Sequence, residues 1–196
     1  MSFRIEEKLL INFSQIFNFK KWLAEKGYIK LYPDRKINSL YFDNLNNQMF
    51  LDSEEGIIPR KKIRIRNYPD YKDQKFFFEK KISSFEGRYK QNKAIKIDEF
   101  ENLKKFGYFD DTYKSCHPKL FVKYTREYFD IKICRLTIDT NISYSEYNNL
   151  NHNKSDPYVA VEIKADFNSS LDQLMTKFPF QRVRFSKYCR GFGLLF

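Results

Sequence analysis

The sequence predicts an α+β, mainly antiparallel β fold, with about eight strands able to close into a barrel and a few flanking helices. Three observations carry that prediction. Charged and apolar residues alternate with the period of a strand in many separate segments. Those segments are joined mostly by short turns marked by Gly, Pro, Asn and Asp. The aromatic share is 18% of 196 residues, mostly Phe and Tyr, which suits a β-rich interior.

The pattern is plainest at Lys62-Ile63-Arg64-Ile65-Arg66. A strand sends successive side chains to opposite faces, so Lys62, Arg64 and Arg66 share one face and Ile63 and Ile65 the other. Any half-exposed antiparallel strand alternates in this way, so a single run decides little. The device recurs, however. Arg4, Glu6 and Lys8 share a face, as do Glu79 and Lys81, Tyr124 and Arg126, Arg135, Thr137 and Asp139, and Glu162 and Lys164. Arg182 and Arg184 alternate with Val183 and Phe185 in the same manner.

In chain order, the first strand covers residues 3–11, and Ser14 caps a helix that runs to about Lys26 and stops at Gly27. Residues 36–43 form a second strand, and a short helix lies near 45–52. Gly56 turns the chain into the Lys62 strand, which Asn67-Tyr68-Pro69-Asp70 closes. Residues 74–82 and 89–97 pair antiparallel across a turn at 83–87. Asp98 caps a helix to about Lys105 that Gly107 ends. Residues 120–131 and 133–144 form a hairpin, and the Asn-rich tract 145–156 is loop. A strand at 158–166, a helix at 169–177, a last strand at 181–186 and a short C-terminal turn or helix complete the chain. Nothing marks a domain break, so 1–196 reads as one domain.

Each strand has one apolar face and one charged, mostly cationic face. Either the charged face turns outward, or the sheet closes with that face inward around an anion. Closure removes exposed edges, but enclosed cations are costly unless an anion compensates them. Glu6, Glu79 and Glu162 could offset only part of that charge. Phosphate chains supply the remainder, with acceptor oxygens matched to Arg and Lys.

Bulk composition agrees. Lys and Arg number 36 against 25 Asp and Glu, a net charge of +11, which favours an anionic partner. Cys116, Cys134 and Cys189 are scattered and unpaired in pattern, as expected of reduced thiols in a cytoplasmic protein. No apolar run approaches the ~20 residues that span a bilayer, and residues 1–8 are too charged for a secretory leader.

The ordered set Arg4-x-Glu6-x-Lys8, Tyr41-Phe42-Asp43, Arg64-x-Arg66-x-Tyr68, Glu79-x-Lys81, Tyr124-x-Arg126, Arg135-x-Thr137-x-Asp139, Glu162-x-Lys164 and Ser186-Lys187-Tyr188 resembles the polyphosphate polymerase domain of the vacuolar transporter chaperone family. That family belongs to the triphosphate tunnel metalloenzymes. The resemblance implies an eight-stranded antiparallel tunnel that binds phosphate chains beside a divalent metal. It implies that Lys8, Arg64, Arg66, Lys81, Arg126 and Lys187 are the catalytic cations. Lys62, Lys90, Arg135, Lys164 and Ser186 are implied as further phosphate contacts. Glu162 is implied as the metal carboxylate, with Glu6 a second ligand or a partner of neighbouring cations. Oxygen-only ligands suit Mn²⁺ or Mg²⁺. Arg4 stands where hydrolase relatives carry the first Glu of a Glu-x-Glu-x-Lys signature, which favours the polymerase branch. Asn92 stands where that branch often has a second basic residue after Lys90.

The expected chemistry is phosphoryl transfer from ATP to a polyphosphate end, with tripolyphosphate or nucleoside triphosphate hydrolysis as the alternative. A catalytically silent polyphosphate-binding domain and a nucleic-acid-binding barrel are rivals from other classes, although nucleic acid is not the expected partner. A membrane-protein partner and the oligomeric state leave no mark on these residues. Other motifs have plainer readings. Glu6, Glu79 and Glu162 could be simple cross-strand partners of Lys and Arg. His117 and His152 lack zinc spacing, Ser186 has no visible His-Asp partnership, and no Gly-x-x-x-x-Gly-Lys loop is present.

Overall fold

The computed structural model describes residues 4–71, 75–132, 134–166 and 182–196. Their strands are β1 (Arg4–Asn12), β2 (Ile29–Asp43), β3 (Arg60–Asn67), β4 (Phe76–Ser84), β5 (Gly87–Ile95), β6 (Tyr108–Asp110), β7 (Lys114–Asp130), β8 (Arg135–Glu146), β9 (Asn153–Ser155) and β10 (Tyr158–Asp166). The helices are α1 (Ile16–Glu25), α2 (Gln48–Glu55), α3 (Ile97–Phe106) and α4 (Lys187–Leu195). The main path runs β1-β10-β8-β7-β2-β3-β4-β5, with β6 beside β7 and β9 beside β8. Eight strands therefore carry the sheet, and the registers of β1–β10, β10–β8, β2–β3, β3–β4 and β4–β5 are antiparallel.

The chain clusters into two compact units. The first comprises Met1–Arg35, Tyr124–Ile142 and Ser155–Phe185, and the second Lys36–Lys123, Ser143–Lys154 and Ser186–Phe196.

In the first unit, β1 pairs with β10 from Arg4↔Asp166 to Asn12↔Tyr158, and β10 pairs with β8. The row Leu9–Val161–Ile138 and its neighbours Ile11, Val159 and Ile163 form one apolar face. Phe19 and Leu23 of α1 are buried on this core, with Trp22 packed at its margin. That stripe is what the helix offers, since Phe13 and Phe17 face solvent. The entry to α1 differs from the expected Ser14 cap. Asn12 caps a 3₁₀ turn, Phe13–Gln15, with Gln15 reaching back, and α1 follows.

In the second unit, β2 to β5 form a meander. Leu40, Phe42, Ile63, Ile65, Phe76 and Phe78 share one face, and Phe100 of α3 stacks on Phe76 at 4.3 Å. Asp43, fully buried at the end of β2, accepts from the backbone N–H groups of Met49 (3.0 Å) and Phe50 (2.9 Å) and so caps α2. The Tyr188 hydroxyl of α4 donates to the same carboxylate at 2.6 Å, and Phe192 stacks on Phe50 at 4.2 Å. One buried acid thus joins β2, α2 and α4. Burial pushes the Asp43 carboxyl up, against the lowering effect of Tyr188 and the N–H groups of Met49, Phe50 and Asn44. Gly191 allows α4 to lie close, because a Cβ there would strike the Tyr144 ring.

Several boundaries moved. β2 begins at Ile29 rather than residue 36, because its exposed first half tolerates Pro33 and Asp34 as a central strand would not. β7 begins at Lys114 and runs through Pro118. Asn153–Ser155 is a short strand inside the tract read as loop. The expected last strand at 181–186 is not formed. Arg182 makes one bridge to Leu9, and the Val183 N–H donates to the Lys8 carbonyl at 2.8 Å, but no ladder continues. The expected helix at 169–177 and residue 181 lie outside the described residues.

Candidate functional site: two charged sheet faces

The second unit carries the more basic face. Residues opposite each other in an antiparallel register point to the same side. On the side away from Leu40 and Ile65, the rows read Lys62–Lys81–Lys90, Arg64–Glu79–Asn92 and Arg66–Phe77–Ala94. β2 extends two of them, with Tyr41 opposite Arg64 and Ser39 opposite Arg66. Five of the sequence-predicted cations therefore share one face with Glu79.

That carboxylate, Glu79, is 3% exposed. It accepts from Arg64 Nε at 2.7 Å and from Lys90 Nζ at 2.7 Å, and Arg66 Nη1 lies 3.8 Å away. Burial would raise its pKa, but Arg64, Arg66 and Lys90 outweigh burial and hold it at about 2. Tyr41 fixes Arg64 from the other side, accepting from Nη1 at 2.8 Å while its ring stacks on Tyr188 at 5.1 Å. Lys62 Nζ donates to Ser186 Oγ at 2.8 Å. Ser186 is also the N-cap of α4, accepting from the Cys189 N–H, which places Lys187 at the helix start. The row Lys62–Lys81–Lys90 sets three lysines in register on this face, with Lys90 held by Glu79.

The reverse side of β3 and β4 handles its cations differently. Lys61 and Lys80 both donate to Asp110, at 2.8 and 2.9 Å, and the N–H groups of Thr112 and Tyr113 complete that carboxylate's shell. Against the opposing effect of burial, these donors hold Asp110 at about 2. The cations there have a dedicated acid and form a structural clamp between β3, β4 and β6.

The charged face of the first unit is better balanced. Its rows are Glu6–Lys164–Arg135, Lys8–Glu162–Thr137 and Leu10–Ala160–Asp139. Arg126 makes a bidentate pair with buried Asp139 at 2.6 and 2.7 Å, and its Nη2 lies 3.9 Å from Glu162. Lys164 Nζ is 2.8 Å from Glu162. Burial opposes ionisation of Glu162, yet Arg126, Lys164 and Lys8 together hold it well below the usual carboxylate range. Lys8 Nζ donates to the Phe185 carbonyl at 2.9 Å and lies 3.5 Å from Glu6. Arg135 is exposed, 3.8 Å from Asp130.

The structure thus groups Lys8, Glu6, Arg126, Lys164 and Glu162 in one unit, with Arg135 at the margin. It groups Lys62, Arg64, Arg66, Lys81, Lys90 and Ser186 in the other, where Lys187 opens α4. Asp139, Glu79 and Tyr41 hold the cations in place, a duty that the sequence suggests for Glu79 as a cross-strand partner and not for Asp139 or Tyr41. All three lay within the recognised motifs, but which cation each one anchors depends on cross-strand register. Among the described residues no group of three His, Cys, Asp or Glu could by itself hold a metal ion. Glu162 with Glu6 offers two carboxylates at most, a donor set that suits a hard cation bound jointly with substrate phosphate oxygens.

Comparison with solved structures gives the class of fold. A proposed adenylate cyclase from Bacillus halodurans has a TM-score of 0.64 at 15% identity, covering 94% of each chain. A protein from Pyrococcus horikoshii has a TM-score of 0.61 at 15% identity, over 97% of this chain and 99% of that one. A proposed adenylyl cyclase from Hippeastrum, described as having a dominant triphosphatase activity, has a TM-score of 0.61 at 15% identity over 97% and 96%. The fold is the triphosphate tunnel fold. Within that class the chain belongs to the VTC domain family, whose profile matches residues 3–196. No curated protein sequence matches it. No described helix is long and apolar enough to cross a membrane.

Proposed function

We propose that the protein catalyses metal-dependent phosphoryl transfer, extending a polyphosphate chain with the γ-phosphate of ATP. The observation that carries this reading is the Lys62–Lys81–Lys90 row beside Arg64 and Arg66, with Glu79 set among them. Three aligned ammonium groups next to two guanidinium groups suit a ligand with several closely spaced negative charges. A phosphate chain is such a ligand.

In this scheme Lys62, Arg64, Arg66, Lys81 and Lys90 bind phosphate oxygens, as do Lys8, Arg126, Lys164 and Lys187, with Arg135 and Ser186 as further contacts. Cations bound to the phosphates in this way orient them and offset charge on the leaving ADP within each face. An oxygen of the acceptor's terminal phosphate forms the new P–O bond as the bond to ADP breaks. That oxygen is already deprotonated, so no general base is needed. Glu162, with Glu6, would hold Mn²⁺ or Mg²⁺, which would supply charge neutralisation at the transferring phosphoryl group. The cations that depress the Glu162 pKa keep it ionised for that role at any physiological pH.

Hydrolysis, with water in place of the acceptor, is the second reading, favoured by the triphosphatase activity attached to the Hippeastrum structure. One incubation separates the readings: purified protein with ATP and Mn²⁺, with and without a diphosphate primer, products resolved on a gel. Long anionic polymer supports synthesis. Orthophosphate alone supports hydrolysis. Tight tripolyphosphate binding without turnover supports a binding domain, and salt-sensitive binding of any oligonucleotide in place of tripolyphosphate refutes all three.

A further inference from the structure

Ser39 is 1% exposed, and its buried Oγ has no hydrogen-bond partner among the described residues. Such a hydroxyl is costly to enclose, and the usual remedy in a fold is a neighbouring carbonyl or side chain. Its position explains the exception. Ser39 lies opposite Arg66 in the β2–β3 register, on the same face as Tyr41 and hence as Arg64, Glu79 and Lys81. Arg66 itself is 7% exposed, and its distance to Glu79 is 3.8 Å, against 2.6 Å for the Arg64–Glu79 pair. A buried guanidinium 3.8 Å from an acid that two other cations contact more closely, beside a hydroxyl with no partner among the described residues, suits an oxygen anion.

We infer that Ser39 is a phosphate-binding residue, its hydroxyl donating to an oxygen of the phosphate group held by Arg66; this rests on the phosphate reading above. Arg66 is the element that yields on binding. As its guanidinium turns from Glu79 to the phosphate, the Ser39 hydroxyl beside it gains its missing acceptor. A hydroxyl in the fold's own service would behave in the opposite way, since its removal would weaken the folded protein and leave ligand affinity alone.

The test compares wild type, Ser39→Ala, Ser39→Thr and Arg66→Ala by thermal unfolding without ligand and by calorimetric titration with tripolyphosphate. Ser39→Ala is expected to unfold at the wild-type temperature or above it, and to bind about tenfold or more weakly, the usual loss for a hydrogen bond to a charged group. Ser39→Thr keeps a hydroxyl and should bind within a few fold of wild type. Wild-type affinity in Ser39→Ala overturns the inference, and so does a lowered unfolding temperature with unchanged affinity. Arg66→Ala separates the two levels. Weak binding there with normal binding in Ser39→Ala refutes only the role of Ser39, whereas normal binding in Arg66→Ala refutes the phosphate reading itself.

Discussion

Glu79→Gln is the perturbation whose size the structure fixes best. The carboxylate is 3% exposed and neutralises part of the charge of Arg64, Arg66 and Lys90. A carboxyl that titrates at 4.5 when free and at about 2 in the folded protein contributes about 3 kcal/mol of stability at neutral pH. The sign follows from the depressed pKa: the contribution is complete above pH 4.5 and is lost as pH falls towards 2. Glutamine preserves shape and removes the charge at every pH. The variant should therefore unfold about 6–12 °C lower at pH 7, at 2–4 °C per kcal/mol for a chain of this size. Between pH 4.5 and 2 it should lose less stability than wild type. Saturating tripolyphosphate should raise its unfolding temperature more than that of wild type, because the ligand supplies the missing anion. Thermal unfolding followed by circular dichroism, across pH and with and without ligand, measures all three. Unfolding at the wild-type temperature, or an equal ligand shift in both proteins, would refute the reasoning.

Two further substitutions probe the scaffold. Asp110→Asn removes the acid shared by Lys61 and Lys80 on the reverse face; it should cost about 3 kcal/mol, the scale for breaking a buried ion pair, and leave the tripolyphosphate dissociation constant within about twofold, as calorimetry would show. Gly191→Ala places a methyl against the Tyr144 ring and should destabilise by about 1–3 kcal/mol in chemical denaturation.

The alternation of charge and apolar residues made most strands legible, since period 2 survives in Arg64-Ile65-Arg66 and Glu162-Ile163-Lys164 whatever the tertiary context. The order of the motifs was enough to name the family. What was hidden depends on contacts between distant positions. Ile29–Arg35 is an exposed strand with Pro33 inside, so neither composition nor periodicity marks it. Arg182–Ser186 keeps the alternation yet finds ladder partners only at its start. The sequence likewise does not distinguish Lys61 and Lys80 from Lys62 and Lys81. They differ by one position, and it is register that sends the first pair to Asp110 and the second to the cationic face. The capping of α2 by Asp43, which also receives Tyr188, joins residues 145 apart in sequence.

Lys81→Ala tests most directly whether the cationic face exists for an anion. Lys81 lies between Lys62 and Lys90 in register, at the middle of the cationic row. The predicted result is a folded protein that binds tripolyphosphate at least tenfold more weakly than wild type. A lower unfolding temperature with unchanged tripolyphosphate affinity would contradict it.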